Sequence, residues 1–163
     1  MPQILEIPDE YLRAIGRVAN QWNYLDSVFN VILIHFLGMD ISKAKAFVVF
    51  PHMAFPQKLH ILESISALSV DTRLENYKSE VQPLLIQAQK GRNLVIHSIW
   101  GMKDGRVTRA SLSARGSLKL TWQPATLKEI EAAHKSIEDA TAALAALIPP
   151  GWRKSIPSPQ SGQ

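Results

Sequence analysis

The 163-residue chain contains no cysteine. This excludes disulfides, thiolate nucleophiles and zinc sites built on cysteine. No apolar run is long enough to span a bilayer, so we expect no membrane partner. The N-terminus has no basic segment followed by a cleavage site, which argues against a signal peptide. With 46% apolar and 20% charged residues, the composition is typical of a globular protein and is compatible with the cytoplasm.

Signature motifs of several enzyme classes are also absent. The sequence has no glycine-rich phosphate-binding loop, no H-E-x-x-H motif and no G-x-S-x-G nucleophile turn. None of the five histidines pairs with another at a spacing of three or four, so we predict no metal site and no cofactor. The net charge of +4 mildly favours an anionic partner, although an excess of lysine and arginine also aids solubility.

Apolar residues recur at steps of three and four along most of the chain. This pattern predicts a mainly α-helical single domain over residues 1–150, an up-and-down bundle of four to five helices. The first helix should begin after Pro8 and end with a glycine C-cap at Gly38. A second helix is expected over residues 41–50, and a third should begin at Pro56.

The later part of the chain changes character. The fourth helix should extend to about Trp100, and Pro83 should either kink it or mark a restart, of which we favour the kink. Alternating polar and apolar residues then predict a small β-hairpin at about residues 105–122, before the last helix. A capping-box sequence, Thr-Leu-Lys-Glu, opens that helix. Residues 151–163, rich in proline, serine and glutamine, are expected to form a disordered tail.

The candidate functional residues lie in the sequence RNLVIH at residues 92–97. Because residues four apart share a helix face, Asn93 and His97 should stack, with Lys90 on the same stripe. Arg92 lies about 140° round the helix from His97, and its long side chain can reach back to it. A permanent cation beside a group that titrates near neutrality can hold a phosphate and move a proton.

The same residues also allow a structural interpretation. Arg92 could pair with a carboxylate, and His97 could be a hydrogen-bonded core histidine, because an Arg-x4-His spacing is common. The polar groups nevertheless interrupt an apolar segment, where burial would be costly. Asp26, in a polar stripe of the first helix, lies either on a solvated face or opposite Arg92 and His97. Trp100 is interpreted as a packing residue or as a contact to substrate.

Basic residues cluster on the predicted hairpin, namely Arg106, Arg109, Arg115 and Lys119. They would either touch phosphates or form the solvated side of a two-stranded element, and we favour the second interpretation. The tryptophans do not alternate with basic residues as in a base-stacking platform. Trp22 and Trp122, like Trp100, are therefore expected to pack.

The motif resembles the Arg-x4–6-His signature of the HEPN superfamily (higher eukaryotes and prokaryotes nucleotide-binding), in which a polar residue often follows the arginine. The long first helix, with an acid at Asp26, and a closing helix after a hairpin are similar too. The resemblance implies a helical homodimer in which two motif helices face each other. Many members are metal-independent endoribonucleases, so single-stranded RNA becomes the expected substrate.

The resemblance also implies roles for individual residues. His97 would be the general acid or base, and Arg92 would stabilise charge on the phosphorane. Supporting positions would be Asn93 and Asp26, while Lys90 and Trp100 would contact the substrate. Gly91 would permit close approach of two helices in the dimer.

Members of this superfamily also occur in toxin–antitoxin systems, so an antitoxin is a candidate partner. One toxin branch is silenced by nucleotidylation of a tyrosine two residues after the histidine. That position is Ile99 here, which argues against this regulation. Other members lack activity. The alternatives to a ribonuclease are therefore a non-catalytic dimerisation module and a nucleotide-binding module.

Overall fold

A computed structural model describes residues 7–39, 49–113, 119–149 and 151. Within these ranges the chain is mainly α-helical, as predicted. The four helices are α1 (Asp9–Phe36), α2 (Phe55–Leu68), α3 (Gln82–Ile96) and α4 (Leu127–Ala146). A small antiparallel sheet lies between α3 and α4 in the sequence. Its strands, in spatial order, are β1 (Ile99–Lys103), β2 (Arg106–Ser113) and β3 (Lys119–Pro124).

Two predicted segments fall mostly outside the described residues. Of the helix expected over residues 41–50, only the last two residues are described, and a 3-10 turn at Phe50–His52 follows. Of the tail expected to be disordered, only Gly151 is described.

Helix α1 forms the centre of the bundle. All residues from 28 to 34 are buried, and a helix that is buried all round must be covered on every side. Helices α2, α3 and α4 pack around it. Gly38 follows with φ of +66°, and the Met39 N–H donates to the Ile34 carbonyl. This left-handed glycine confirms the predicted C-cap.

Helices α3 and α4 approach each other closely at Gly91. A Cβ atom at this position would lie 3.2 Å from both the Cα and the Cβ of Ala133 and 3.2 Å from the Ser136 hydroxyl. The absence of a side chain at Gly91 therefore serves packing inside one chain. The expectation that Gly91 faces a second copy was wrong, because α4 already covers that side of the helix.

Pro83 lies where the helical hydrogen-bonding pattern changes. A π-helical turn at Tyr77–Val81 precedes it, and α3 begins only at Gln82. Proline thus falls in the first turn, where a missing N–H removes no helical hydrogen bond. The helical turns from Tyr77 to Ile96 follow one another without a break, and the kink expected at Pro83 stays a prediction.

The motif helix ends earlier than predicted, and the β insertion is larger. Helix α3 stops at Ile96, and Ile99–Lys103 pairs with β2, so that the expected hairpin is a three-stranded sheet over residues 99–124. Asp104 and Gly105 both have positive φ, of 50° and 70°, the geometry of a type I′ hairpin turn. The helical periodicity up to Trp100 predicted the wrong end of this helix, because strand pairing overrides local periodicity.

Candidate functional site

The candidate site lies at the exposed C-terminal end of α3. His97 is the residue that caps this helix, with φ of −96° and ψ of 4°, and its N–H donates to the Asn93 carbonyl at 3.2 Å. His97 therefore still lies one turn after Asn93, although it is just beyond the helix rather than within it. Both side chains are exposed, whereas Arg92 is half-buried.

Arg92 reaches back to the histidine, as the spacing predicted. Its Nη1 lies 2.5 Å from the Nε2 of His97 and donates to the Asn93 Oδ1 at 3.0 Å. A guanidinium only donates hydrogen bonds, so Nε2 is the acceptor in this contact.

The guanidinium of Arg92 has mainly uncharged groups around it in the described part of the chain. Among the described residues, no carboxylate lies within 4 Å of its guanidinium. The guanidinium carbon lies 5.5 Å from the ring centroid of Trp22 in α1, and the buried Nε has no hydrogen-bond partner there. The structural interpretation in which Arg92 pairs with a carboxylate is therefore not what the described contacts show. An anion beside His97 would meet a cation whose charge is still available.

Asp26 contacts a residue that the sequence analysis missed. Its Oδ1 accepts a hydrogen bond from Lys58 Nζ in α2 at 2.6 Å, and the Lys58 side chain is 0% exposed. Asp26 lies one helical turn after Trp22, so this ion pair adjoins the aromatic ring beneath Arg92. The described ion pair of Asp26 is thus with Lys58 rather than with Arg92 or His97. A weak signal existed, since Lys58 shares the 55, 58, 62 spacing of the buried face of α2.

Trp100 holds the end of the motif helix. Its indole N–H donates to the Val95 carbonyl at 2.9 Å, one of the last carbonyls of α3, which have no helical partner. The ring is half-buried and packs against the core. These contacts are those of a packing residue, and they fix the backbone from which His97 projects.

Lys90 lies on the exposed stripe one turn before Asn93. It lines an open groove of about 430 Å³ between α3 and α4, together with Leu94 and Glu129. The floor of this groove is the close contact between Gly91 and Ala133. Lys90 is therefore near the site along the helix, but its side chain borders a mainly apolar groove.

A second contact between an arginine and a histidine lies elsewhere, near the C-terminal ends of α1 and α4. Arg73 forms an ion pair with Asp71, donates to the Leu147 carbonyl at 3.3 Å, and lies 3.3 Å from His35 Nε2. Its guanidinium also lies 5.3 Å from the ring centroid of Phe36. Sequence reasoning missed this cluster because its residues are far apart in the chain.

Hydrogen bonds from Arg73 lower the pKa of Asp71 from 3.8 to about 2. Burial, followed by the charge of Arg73, lowers the pKa of His35 below its ordinary value of 6.5. Both shifts favour the ionisation states that keep this cluster together, a carboxylate and a neutral imidazole.

Comparison of the chain with protein-family models, curated proteins and solved structures gave no match. Within the described ranges, no three histidine, aspartate or glutamate residues lie close enough together to hold a metal ion. No helix in those ranges is long and apolar enough to cross a membrane. The geometry at Arg92 and His97 is thus the basis on which a function can be argued.

Proposed function

We propose that this protein is a metal-independent endoribonuclease of the HEPN type, with Arg92 and His97 in the active site of a homodimer. The observation that carries the proposal is the direct contact between an exposed imidazole and a cation that no described carboxylate neutralises. A phosphodiester brought to this helix end would meet a proton carrier and a fixed positive charge together.

The reaction needs only these two kinds of group. The 2′-oxygen of a ribose forms a bond to the adjacent phosphorus, and the bond from phosphorus to the 5′-oxygen breaks. His97 takes the proton of the 2′-hydroxyl or supplies one to the departing 5′-oxygen. Arg92 stabilises the extra negative charge of the phosphorane. The products are a 2′,3′-cyclic phosphate and a 5′-hydroxyl.

The neighbouring contacts orient the two groups. The Asn93 side-chain oxygen accepts from the Arg92 guanidinium, which fixes the plane in which its remaining donors lie. The Trp22 ring supports the guanidinium from α1, and Trp100 fixes the helix end through the Val95 carbonyl. Preorganised donors cost little reorganisation when charge develops, which is the condition for electrostatic catalysis.

A second copy would supply the complementary proton carrier. The exposed face of α3 carries Ile86, Lys90, Asn93, Leu94 and His97, and the side chains of Ile86 and Leu94 are 38% and 37% exposed. Packing two such faces would cover these apolar groups and bring two sets of Arg92 and His97 together. One histidine would then act as the base and the other as the acid.

Cleavage of a labelled single-stranded RNA in excess EDTA tests the proposal. We expect cyclic-phosphate products from the wild-type protein and their loss in His97→Ala. His60→Ala is the matched control, since His60 is an exposed histidine of α2. Intact RNA with wild-type protein, or equal cleavage by the His97→Ala variant, contradicts the proposal.

A non-catalytic helical module is the alternative that a specific observation favours. Arg92 contacts Trp22, Asn93 and His97, so it ties the end of α3 to α1. If this is its whole role, Arg92→Ala lowers the melting temperature while wild-type protein leaves RNA intact. A nucleotide-binding module would instead show a rise in melting temperature with added nucleotides.

A further inference from the structure

The three-stranded sheet has a face that points away from the helices. Along each strand, side chains alternate between the two faces, so the pairing register assigns them. Arg109 lies on the inner face, where it forms an ion pair with Glu129 of α4 at 3.8 Å. Thr108 and Ala110, its neighbours on β2, therefore lie on the opposite face. We call that face the outer sheet face.

The register places one aromatic and two cationic side chains on the outer sheet face. Lys103 pairs with Arg106 at the hairpin end, and Trp122 pairs with Ala110, which also pairs with Ile99. Lys103, Arg106 and Trp122 line one open cavity of about 340 Å³. Its other lining residues are Asp104, Thr108, Gln123 and Pro124.

Of the lining residues, Thr108 is small and buried, whereas Trp122 is half-buried. Gly101 and Ala110, on the same face of the sheet, are buried and are not among the lining residues. The half-buried indole at the side of the cavity can offer a ring face to a planar group. One lysine and one arginine, Lys103 and Arg106, lie at the other end of the cavity and offer positive charge to phosphates. Asp104 is the one acidic residue among the lining residues.

We propose that the outer sheet face binds the single-stranded RNA substrate, with a base stacked on Trp122 and phosphates held by Lys103 and Arg106. The proposal rests on the ribonuclease function and extends it to substrate positioning. An aromatic platform combined with cations is the arrangement that holds unpaired nucleotides without reading their sequence. A duplex would keep its bases stacked on each other and could not use the indole.

The outer sheet face begins close to the candidate active site along the chain. Strand β1 begins two residues after His97, and Ile99 shares a row of the register with Ala110 and Trp122. The six residues from His97 to Lys103 span about 20 Å at the rise of a β-strand. An RNA strand bound at Lys103 and Arg106 would therefore need to extend about 20 Å along β1 to reach His97.

Binding of a fluorescein-labelled 12-nucleotide single-stranded RNA, measured by anisotropy in EDTA, tests this proposal. All variants are made in the His97→Ala background, so that cleavage cannot interfere. Trp122→Ala should weaken binding about 5- to 150-fold, the range for loss of one stacked base, and Trp122→Phe should restore most of the affinity. Circular dichroism checks that the sheet variants fold.

The charged residues are tested by salt dependence. Lys103→Gln with Arg106→Gln should lower the slope of log affinity against log salt by about 1.4, since each single-strand phosphate contact contributes about 0.7. Arg13→Gln with Lys128→Gln is the control, because it removes the same charge from exposed positions on α1 and α4. An equal change in the control pair would overturn the proposal in favour of non-specific charge.

Further outcomes separate this proposal from the ribonuclease function. If the wild-type protein binds RNA through Trp122 but never cleaves it, the RNA-binding role of the outer sheet face is supported and the ribonuclease function is contradicted. If the wild-type protein cleaves RNA and Trp122→Ala leaves KM unchanged, the ribonuclease function is supported. The same result overturns the RNA-binding role of the outer sheet face. Equal affinity for single-stranded and duplex RNA, or for anionic lipid vesicles, also overturns it.

Discussion

Among the described residues, two contacts join an arginine to a histidine, and they differ in what else the arginine touches. Arg73 meets His35, a carboxylate and a backbone carbonyl, which joins parts of the chain that are distant in sequence. Arg92 meets His97 five residues away on the same helix end, with no described carboxylate within ion-pair distance. The same two residue types thus form a contact that links distant parts of the chain at Arg73. At Arg92 they form an accessible cation beside an exposed imidazole.

The difference shows why the chemistry of a pair cannot be judged from residue types alone. Asp71 satisfies most of the charge of Arg73, so an incoming phosphate would have to displace a carboxylate. At Arg92 the nearby partners are an amide oxygen, an imidazole nitrogen and an aromatic ring, and none of them is a carboxylate. Four variants and conditions test the contrast.

The largest effect is expected at the accessible contact. Arg92→Ala should lower the rate of RNA cleavage about 10²- to 10³-fold, the usual effect of removing one group that stabilises transition-state charge. The free energy of unfolding should fall by no more than about 1 kcal/mol, because the contact with Trp22 is a partly exposed cation–π interaction. Single-turnover cleavage and urea denaturation measure the two effects. If Arg92→Ala loses much stability but cleaves RNA at the wild-type rate, then Arg92 has a structural role like that of Arg73.

Asp26→Ala should act on stability instead of on catalysis. It leaves the fully buried Lys58 without its ion-pair partner, which costs about 3–5 kcal/mol in comparable buried pairs. The double variant Asp26→Leu with Lys58→Met should recover much of this loss, since it removes both charges. Urea denaturation checks both variants. If cleavage per folded molecule falls in a stable Asp26 variant, then Asp26 supports His97 directly.

Arg73→Ala should reverse the pattern seen at Arg92. We expect the free energy of unfolding to fall by about 1.5–3 kcal/mol, the range for hydrogen bonds to charged groups, and cleavage by the folded protein to stay unchanged. Arg73→Lys should recover only part of the stability, because an ammonium cannot reproduce the planar set of donors. Equal stability of the alanine variant and the wild type would show that the Arg73 cluster does not stabilise the fold.

The smallest expected effect is the pH dependence of stability at the Arg73 cluster. Because the folded state lowers the pKa of His35, the unfolded chain protonates first, and stability should decline as pH falls below 6.5. The lowered pKa of Asp71 stabilises the fold fully above its ordinary value of 3.8. That contribution is lost as pH falls through about 2.

Arg73→Ala should remove the part of the stability loss below pH 3.8 that comes from Asp71, since Arg73 causes the shift at Asp71. Part of the decline below pH 6.5 should remain, because burial is the first cause at His35. Melting temperatures between pH 2 and 8 provide the measurement. Identical profiles for the variant and the wild type would rule out Arg73 as the origin of the acid sensitivity.

The sequence by itself determined the helical bundle, the glycine that ends α1, the capping box that opens α4, and the reach of Arg92 back to His97. These depend on residues close together in the chain, whose spacing and local hydrogen bonds act wherever the segment lies. Tertiary structure alone decided the strand at Ile99–Lys103, the buried Lys58 beneath Asp26, the role of Gly91 and the Arg73 cluster. Strand pairing, charge burial and close helix packing each need a partner from a distant part of the chain, and no local pattern identifies that partner.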